Sequence, residues 1–467
     1  MTKRNSDLTG LGTGKVQQGV GDARHLAELK EAGVETLVIG AADIDGEFRA
    51  KRFALGMFSR EDVEIAFSDY LFGTDVLDEV MEPRPGYTGY FPTPATGMPD
   101  IHVRPDWSLL RILPWDPSTA LVCGDFYGAD GQPMAIGPRQ VLRRVLERLR
   151  GLGFEAMVGS EFEFFVFKGD PETARRAPGS LEPLSVGPAY SYIRGAGDER
   201  VMGRVRRMID GAGIPIEAGM TEAAPGQSEI TIRYADALRT ADNSFLYKHF
   251  VRELLAAEDL TASFIAKFAS DGYGNSGHLH VSLRDLGGEP RMLDSSGELS
   301  YVSRAAIAGF LESMRSFACF YAPTINSYHR YQTEYSFAGD TVAWGYDNRT
   351  CGLRAIKTDA AGTRLESRVP GADMNPYIAL AATLAAMGDG IERGLEPPPA
   401  VVADAYVEPG VERAPRDLGA AAALLEDHEV AYDWLGEDFV RFYVETRFWE
   451  VEQHRLALTE WELRRYL

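Results

Sequence analysis

The sequence has 467 residues, of which 45% are hydrophobic and 25% charged, as is typical of a globular protein with enough chain for about two or three domains. Acidic residues (69) outnumber basic ones (48) and leave a formal net charge of −21, which argues against nucleic acid and anionic membranes as partners. The three cysteines lack C-x-x-C spacing and predict no disulfide framework. Because no apolar run has membrane-spanning length and residues 1–20 lack a signal-peptide core, we predict a cytoplasmic protein.

In chain order, residues 1–22 are predicted to form a flexible tail. Thr36–Ile44 and Glu47–Phe53 then read as strands around Asp45-Gly46, a signal for a two-residue hairpin turn. Further short apolar runs follow, and residues 23–128 are predicted to form a small, mostly β module. Pro138 opens an amphipathic helix, and in residues 129–467 helices and strands alternate irregularly. This order favours an α+β fold over a doubly wound parallel sheet.

Four charged patterns stand out in the larger part of the chain. They are Glu161 with Glu163, Glu222 with Glu229, His278 with His280, and Arg364 with Glu366 and Arg368. Three of them have a spacing of two, which places their side chains on one face of a β-strand. If these faces converge, they form a site for divalent cations and a polyanion, as ATP with Mg²⁺ or Mn²⁺ requires.

Each pattern alone also has a plainer interpretation: solvated strand or loop acids, structural histidines, or an exposed ladder of ion pairs. For the first pair, the apolar residues on both faces of its strand favour burial, and buried carboxylates need cations or partners. Arg349 and Arg354 lie just upstream of the last pattern and add the side chain that best matches carboxylate and phosphate.

The ordered set of patterns resembles the glutamine synthetase family. The matching segments are Gly159-Ser160-Glu161-Phe162-Glu163, Glu222 to Glu229, Gly274 to Ser282, Asn326 to Arg330, Asp347 to Arg354, and Arg364 to Pro376. The resemblance extends from the hairpin near Asp43 to the final helix, and six motifs in the family's order make chance agreement very small.

The resemblance implies a β-grasp domain at residues 23–128 and a catalytic domain at 129–467 with a curved antiparallel sheet flanked by helices. It also implies a homo-oligomer, a dodecamer of two stacked hexameric rings. Each active site then lies between the catalytic domain of one subunit and the β-grasp domain of its neighbour.

The family's motifs also imply site residues. At least two Mg²⁺ or Mn²⁺ ions are expected, one held by Glu163, Glu222 and Glu229 and another by Glu161, His278 and Glu366. Nucleotide contacts are expected from Tyr234, His280, Ser282 and Arg364, and glutamate contacts from Gly274, Arg330 and Arg368. Arg349, Arg354 and Arg364 are the expected catalytic arginines.

The activity implied is ATP-dependent carbon–nitrogen ligation. A carboxylate is a poor acyl donor, so ATP converts L-glutamate to γ-glutamyl phosphate and an amine then displaces phosphate. Metal ions and arginines neutralise charge on the moving phosphoryl group.

The sequence departs from the family pattern where ammonium binds. Residues 66–75, which include Asp69, lack the family's Asp-Gly-Ser-Ser stretch, and Phe337 stands where the ammonia enzymes carry a flap glutamate. An aromatic ring in place of an anion favours an organic amine, with Tyr190 and Trp344 as further candidates for its pocket. We therefore place the chain in the γ-glutamyl-amine ligase branch, whose acceptors include polyamines, ethanolamine, alkylamines and anilines.

Two alternatives stay open. One is an ammonia-using glutamine synthetase in which Asp69 or Tyr190 supplies the ammonium site. The other is a non-catalytic, ring-forming relative, although such a protein has no need of six metal-ligand positions.

Overall fold

The computed structural model describes residues 23–59, 63–332 and 336–467, so the predicted tail at residues 1–22 lies outside the described part. Within the described residues no helix is both long and apolar enough to cross a membrane. The α+β prediction is confirmed by two sheets and the helices that cover them.

The first sheet has six strands in the order β2-β1-β6-β4-β3, with β5 paired to β6. Its strands are β1 (Thr36–Ala42), β2 (Phe48–Ala54), β3 (Ala66–Ser68), β4 (Asp100–Pro105), β5 (Arg111–Leu113) and β6 (Asp116–Tyr127). Helix α1 (Ala23–Glu31) precedes them. β1 and β6 run parallel and the other pairs are antiparallel.

The loop between β1 and β2 differs from the sequence prediction. The two strands do form a hairpin, but Ala42 pairs with Phe48, so the connection comprises residues 43–47 and is not a two-residue turn. Asp43 accounts for the longer loop, because its side chain accepts hydrogen bonds from the backbone N–H groups of Asp45 (3.1 Å) and Glu47 (2.8 Å).

The second sheet has nine strands in the order β13-β14-β15-β12-β7-β10-β9, with β8 and β11 also paired to β7. Its strands are β7 (Phe154–Lys168), β8 (Glu182–Pro183), β9 (Ile216–Thr221), β10 (Gln227–Asp236), β11 (Leu260–Ser263), β12 (Gly277–Asp285), β13 (Trp344–Tyr346), β14 (Leu353–Ile356) and β15 (Arg364–Ser367). All pairs are antiparallel except β13 with β14.

Eleven more helices lie among and after these strands in the described part of the chain. They are α2 (Pro138–Gly151), α3 (Pro171–Arg176), α4 (Tyr192–Gly211), α5 (Ala237–Ala256), α6 (Tyr301–Ser313), α7 (Ala318–Tyr321), α8 (Pro376–Arg393), α9 (Leu418–Glu426), α10 (Glu429–Leu435), α11 (Glu437–Leu456) and α12 (Glu460–Tyr466). The Ala-rich α8 is the central one: it is buried from Pro376 to Ile391 and packs on α2, α5, α6 and α10. The Asn375 side chain accepts a bond from the backbone of Tyr377 and caps its start.

A buried cation ties the first sheet to helices α2 and α5. The guanidinium of Arg139, on α2, donates to Asp125 on β6 (2.7 Å), to Asp106 after β4 (2.8 Å) and to Asp242 on α5 (2.7 Å). Removing one partner of such a buried group costs about 3–5 kcal/mol. Most buried apolar residues of the two sheets also belong to one continuous core, so the division at residue 128 stays a prediction.

Candidate active site

Strand pairing in the second sheet brings the predicted charged residues side by side. β7 is the common partner of β10 and β12, and β15 joins the other edge of β12. The opposing residues are Glu161 with His278, Glu163 with Glu229, and Glu366 with both His280 and Arg354. Five separate strands therefore present one charged face.

Two imidazoles and two carboxylates form the first cluster on this face. Nδ1 of His278 lies 3.3 Å from a carboxylate oxygen of Glu161 and 3.6 Å from one of Glu366. Nε2 of His280 lies 3.1 Å from the other oxygen of Glu161. The opposite ring nitrogen of His278, Nε2, is buried without a hydrogen-bond partner among the described residues.

The two carboxyl groups of this cluster stay ionised. Burial alone would raise the pKa of Glu161, but hydrogen bonds with His278 and His280 outweigh it and hold that pKa well below its usual range. Burial also opposes ionisation of Glu366, and the charges of Arg368 and the two imidazoles lower its pKa to about 2.

Three carboxyl groups form the second cluster, beside the first. Glu163 on β7 faces Glu229 on β10, and Glu222 follows β9 in the same cavity wall. An oxygen of Glu163 accepts hydrogen bonds from the backbone N–H of Ser276 (2.8 Å) and the side-chain amide of Gln227 (3.0 Å). The amide of Gln227 thus fixes the carboxylate in place.

These three carboxyl groups resist ionisation in the absence of a cation. Burial, aided by the charge of Glu222, raises the pKa of Glu163 to about 8. Burial and the charges of Glu161 and Glu163 raise the pKa of Glu229 to about 9. Burial likewise raises the pKa of Glu222. A divalent cation would reverse these shifts, because it stabilises the charged form of every carboxylate that it contacts.

The donor atoms suit a divalent metal. Ligand atoms of Glu161, His280 and Glu366 all lie within 4.8 Å of one another. Carboxylate oxygens are the ligands that suit Mg²⁺ and Mn²⁺, and imidazole is the commonest metal ligand among side chains. The geometry brings His280 as close to the acids as His278, whereas the family motif assigns only His278 to the metal.

Arginines close the other side of the same cavity, which has a volume of about 390 Å³. Arg354 donates to one oxygen of Glu366 (2.9 Å) and Arg368 to the other (2.5 Å). Asp347 accepts a hydrogen bond from Nε of Arg354 (2.9 Å) and thereby orients the guanidinium group. Arg349 lines the cavity as well, so three guanidiniums face the acidic clusters.

A second cavity, here called the nucleotide cleft, lies next to the acid cavity and measures about 250 Å³. All four residues predicted to contact nucleotide line it: Tyr234, His280, Ser282 and Arg364. Arg364 donates from Nε to Nδ1 of His280 over 3.3 Å. Glu161 lines both cavities, so the nucleotide cleft opens onto the charged clusters.

The predicted glutamate contacts fall into two groups. Gly274 and Arg368 line the acid cavity, and Nε of Arg368 is buried without a partner among the described residues. Arg330 is 2% exposed and lies behind the wall, where it donates to Oγ of Ser276 over 3.1 Å. A side chain at Gly274 would clash with Arg330 Cγ at 2.7 Å, so the glycine permits this packing.

The mouth of the acid cavity has an aromatic wall formed by Tyr190, Tyr273 and Phe337. The rings of Tyr273 and Phe337 lie 6.4 Å apart, and Tyr406 packs edge-on against Phe337 from behind at 6.3 Å. Tyr190 (φ +57°) and Phe337 (φ +50°) both have left-handed backbone conformations. Non-glycine residues seldom adopt these conformations, and such strain concentrates at functional sites.

The other two candidates for the amine pocket lie elsewhere in the same chain. Trp344 is 6% exposed and donates from its indole to the carbonyl of Pro398 (2.8 Å), and it does not line the acid cavity. Asp69 belongs to the first-sheet module, where it is buried and accepts a bond from the hydroxyl of Tyr90 (2.9 Å).

Sequence reasoning missed three residues of this cavity. Gln227 and Asp347 lie within the family motifs and were not predicted as site residues, although each orients a charged side chain of the cavity. Tyr273 lies in a glycine-rich segment, and only its neighbour Gly274, a predicted glutamate contact, indicated that this segment lies at the site.

Comparisons with known proteins agree with this geometry. Residues 135–466 match the family model for the glutamine synthetase catalytic domain. The chain is 35% identical to a glutamate–isopropylamine ligase of a Pseudomonas species, over 94% of this chain and 96% of that protein. It is 38% identical to a γ-glutamylethanolamide synthetase of Streptomyces coelicolor, over 92% of both chains.

Among solved structures, the chain resembles one described as apo GmaS without ligand. The two superpose with a TM-score of 0.81 at 28% identity, over 94% of this chain and 98% of the other.

Proposed function

This chain belongs to the glutamine synthetase family, and on that premise we propose that it is an ATP-dependent ligase joining the γ-carboxylate of L-glutamate to an organic amine. The observation that carries the proposal is the acid cavity, in which the aromatic wall of Tyr190, Tyr273 and Phe337 stands beside the clusters of carboxylates and arginines. The same reaction is supported by the similarity to one enzyme named for isopropylamine as a substrate and to another named for γ-glutamylethanolamide as a product.

ATP is assigned to the nucleotide cleft. The ring of Tyr234, which is 55% exposed, offers a surface for the base, and Arg364 offers a charge to the phosphates. Glu161 lines both the cleft and the acid cavity. The triphosphate of an ATP molecule bound in the cleft can therefore extend to the carboxylate clusters.

Two Mg²⁺ or Mn²⁺ ions are assigned to the carboxylate clusters. Glu163, Glu222 and Glu229 would hold one, and Glu161, His278 and Glu366 would hold the other, with His280 in reach of the same oxygens. When bound, the cations neutralise phosphate charge and activate the γ-phosphoryl group for transfer.

L-Glutamate is assigned to the wall that contains Gly274 and Arg368. The unpaired Nε of Arg368 offers a donor for a carboxylate, and Arg330 supports the wall through Ser276. The γ-carboxylate attacks the γ-phosphorus of ATP, ADP leaves, and γ-glutamyl phosphate forms. Arg349 and Arg354 face the cavity where charge develops on the transferred group.

The amine is assigned to the cavity mouth. It attacks the acyl carbon, phosphate leaves, and the amine loses one proton as the amide forms. The rings of Phe337 and Tyr273 offer apolar contact to a substituent, worth about 0.8 kcal/mol for each buried CH₂. Ammonium carries no apolar substituent, so it gains no such binding free energy from this wall.

Assembly and location are also part of the proposal. The family's architecture implies a dodecamer of two hexameric rings in the cytoplasm. The segment Asp69–Asp75 would then lie near a neighbour's cavity, although the side chain of Asp69 itself is buried and bonded to Tyr90. Val76 (64% exposed) and Leu77 (76% exposed) lie close by in sequence and are suited to such a contact.

The test is ADP release with L-glutamate, ATP and Mg²⁺ or Mn²⁺, with ammonium compared against alkyl-, poly- and arylamines. Turnover that requires glutamate, metal and an organic amine supports the proposal. A preference for ammonium would instead identify an ammonia-using glutamine synthetase, and no turnover with any acceptor would favour a non-catalytic relative.

A further inference from the structure

A third cavity lies on the face of the second sheet opposite the active site. It measures about 500 Å³ and is bounded by the loop at residues 43–47, by α5 and by α11. Lys248 of α5 lines it and approaches the rings of Phe162 and Phe264. Phe162 alternates along β7 with Glu161 and Glu163, so this cavity and the acid cavity are on opposite sides of the strand.

The charges around this cavity are mostly paired. Three basic and five acidic side chains line it. Arg447 is paired with Asp45 at 2.8 Å, and Arg252 with Glu47 at 3.3 Å. The acidic excess disfavours a simple anion as the occupant.

Lys248 is the exception among the cations. Lys248 is only 7% exposed, and its ammonium makes one hydrogen bond, to the carbonyl of Met374 at 2.9 Å. An ammonium has three donors, and no carboxylate among the described residues forms an ion pair with this one. Burial, with the nearby charge of Arg252, lowers the pKa of Lys248 to about 7.

Among the anions, Asp373 has a buried carboxylate oxygen without a partner among the described residues. It adjoins Met374, so it lies beside the anchor point of the lysine. One of its oxygens accepts bonds from Ser327 (2.5 Å) and Thr324 (3.2 Å). The other is buried without a hydrogen-bond partner among the described residues, which is costly for a polar atom.

We propose that this cavity binds an α-amino acid, with the carboxylate of the ligand at Lys248 and its ammonium at Asp373. A zwitterion satisfies both unpaired groups and adds no net charge, whereas a carboxylic acid or an amine alone satisfies one of them. The apolar residues Ile44, Met81, Phe264 and Trp449 also line the cavity and favour an uncharged side chain.

Two sources supply this chemistry. A free neutral amino acid has the required head group, and so does a γ-glutamyl amide, which keeps the α-carboxylate and α-ammonium of glutamate. Only this second source rests on the proposed function. Binding is measured without turnover, so failure of the proposed activity and failure of this site are distinguishable.

The experiment measures calorimetric binding of L-alanine and of γ-glutamylethylamide to the full-length chain. An Arg368→Gln background weakens amino-acid binding in the acid cavity. Lys248→Met is the test variant, because replacing a buried charge by an apolar side chain of similar size usually preserves folding. Arg239→Gln is the matched control, since Arg239 lies on α5 but does not line the cavity.

We expect at least one of the two probes to bind with a Kd on the order of 1 mM or tighter. Lys248→Met should weaken it at least tenfold, and Arg239→Gln should leave it unchanged. Propionate and ethylamine, which each carry half of the alanine zwitterion, should bind at least tenfold more weakly than the better probe. The tighter of the two probes identifies the source.

Absence of saturable binding by both probes overturns the proposal, as does binding that Lys248→Met leaves intact or that propionate reproduces. If Lys248→Met does not fold, as judged by its melting curve, Asp373→Asn decides. It keeps an acceptor for Ser327 and Thr324 but removes the charge, and a loss of less than tenfold then overturns the proposal.

Discussion

Glu163 and Glu229 lie directly opposite each other on neighbouring antiparallel strands of the second sheet. Like charges in this position destabilise a sheet, and burial raises the pKa of both carboxyls far above the usual range. The arrangement is therefore tolerable only with a proton or a cation between the two groups. That requirement makes the folded state itself a reporter of metal binding.

Glu229→Gln should stabilise the metal-free protein at pH 8, because the amide is neutral without the proton that Glu229 has to take up when the protein folds at this pH. The same change should reduce the rise in Tm that Mg²⁺ or Mn²⁺ produces in the wild type. Melting curves with chelator and with added metal test both effects. Glu155→Gln, at the exposed start of β7, is the control. Equal metal-induced shifts in the variant and the wild type would contradict the assignment of Glu229.

The pH dependence of the metal-free protein follows from the same groups. A carboxyl whose pKa rises on folding binds more protons in the folded state between its ordinary and its raised value, so stability falls as pH increases through that window. For Glu229 the window runs from about 4.5 to about 9. We expect the Tm in chelator to fall across this range, less steeply in Glu229→Gln. A Tm that rises toward pH 9 would contradict the predicted fall of stability with increasing pH.

Glu366→Gln should reduce ligation about a hundredfold or more, by removing a charge that orients two arginines and meets the metal site. It should also lower the Tm, since Arg354 and Arg368 lose their shared buried counter-charge. Steady-state rates and melting curves measure the two effects separately. The surface pair of Glu298 with Lys357 supplies the control, Glu298→Gln. Near-normal rates would reduce Glu366 to a structural ion-pair partner.

Tyr234→Ala should raise the KM for ATP about tenfold and leave the KM for glutamate unchanged, because its ring lines the nucleotide cleft and not the acid cavity. Stacking of a base on an aromatic ring is worth about 1–3 kcal/mol, which covers this change. Tyr301→Ala, at a similarly exposed tyrosine on α6, controls for loss of surface area. If both KM values rise together, the cleft is not a separate nucleotide subsite.

Phe337→Glu should shift acceptor preference from organic amines toward ammonium. The substitution exchanges an apolar wall for an anion beside Tyr273, which favours a small cation that must be bound before it is deprotonated. The ratio of kcat/KM for ammonium and for the best amine measures the shift, and Phe337→Leu should change it little. If the wild type itself prefers ammonium tenfold, a margin of about 1.4 kcal/mol, the amine assignment fails.

Assembly is expected to be required for activity, because the family resemblance places each active site between two subunits and none of the described residues before Glu161 lines the acid cavity. Light scattering should report a species near twelve times the 51.4 kDa chain mass. Leu77→Asp should weaken that assembly, while Val402→Asp, at another exposed apolar residue, should not. Full activity in a monomer would contradict the shared site.

Spacing along the chain predicted which face each charged side chain would occupy, because alternation is a local property of a strand. Glu161 and Glu163, for example, share a face, as do His278 and His280. Spacing carried no information about which strands pair. The proximity of His280 to Glu161 depends on contacts between residues more than a hundred positions apart, so no local pattern contained it.

Other features could not be predicted from the sequence because they depend on tertiary packing or on side chains that form hydrogen bonds with the backbone. Trp344 was a candidate for the amine pocket beside Phe337, yet its indole is held by Pro398, a residue from beyond α8. The loop at residues 43–47 is longer than the Asp-Gly signal predicted because Asp43 captures two backbone donors. Lys248 had no sequence signal at all, since its unpaired charge is a property of the folded neighbourhood.

The left-handed backbone at Phe337 has a consequence for redesign of the enzyme. A non-glycine residue held in that conformation costs about 1–3 kcal/mol, and glycine or asparagine adopts it with less strain. Replacing Phe337 by one of these residues to alter which amines are accepted should therefore also raise the free energy of unfolding. That gain offsets the stability that most active-site substitutions cost. A library that starts from Phe337→Gly or Phe337→Asn should tolerate more secondary substitutions than one that starts from any buried residue of the sheet.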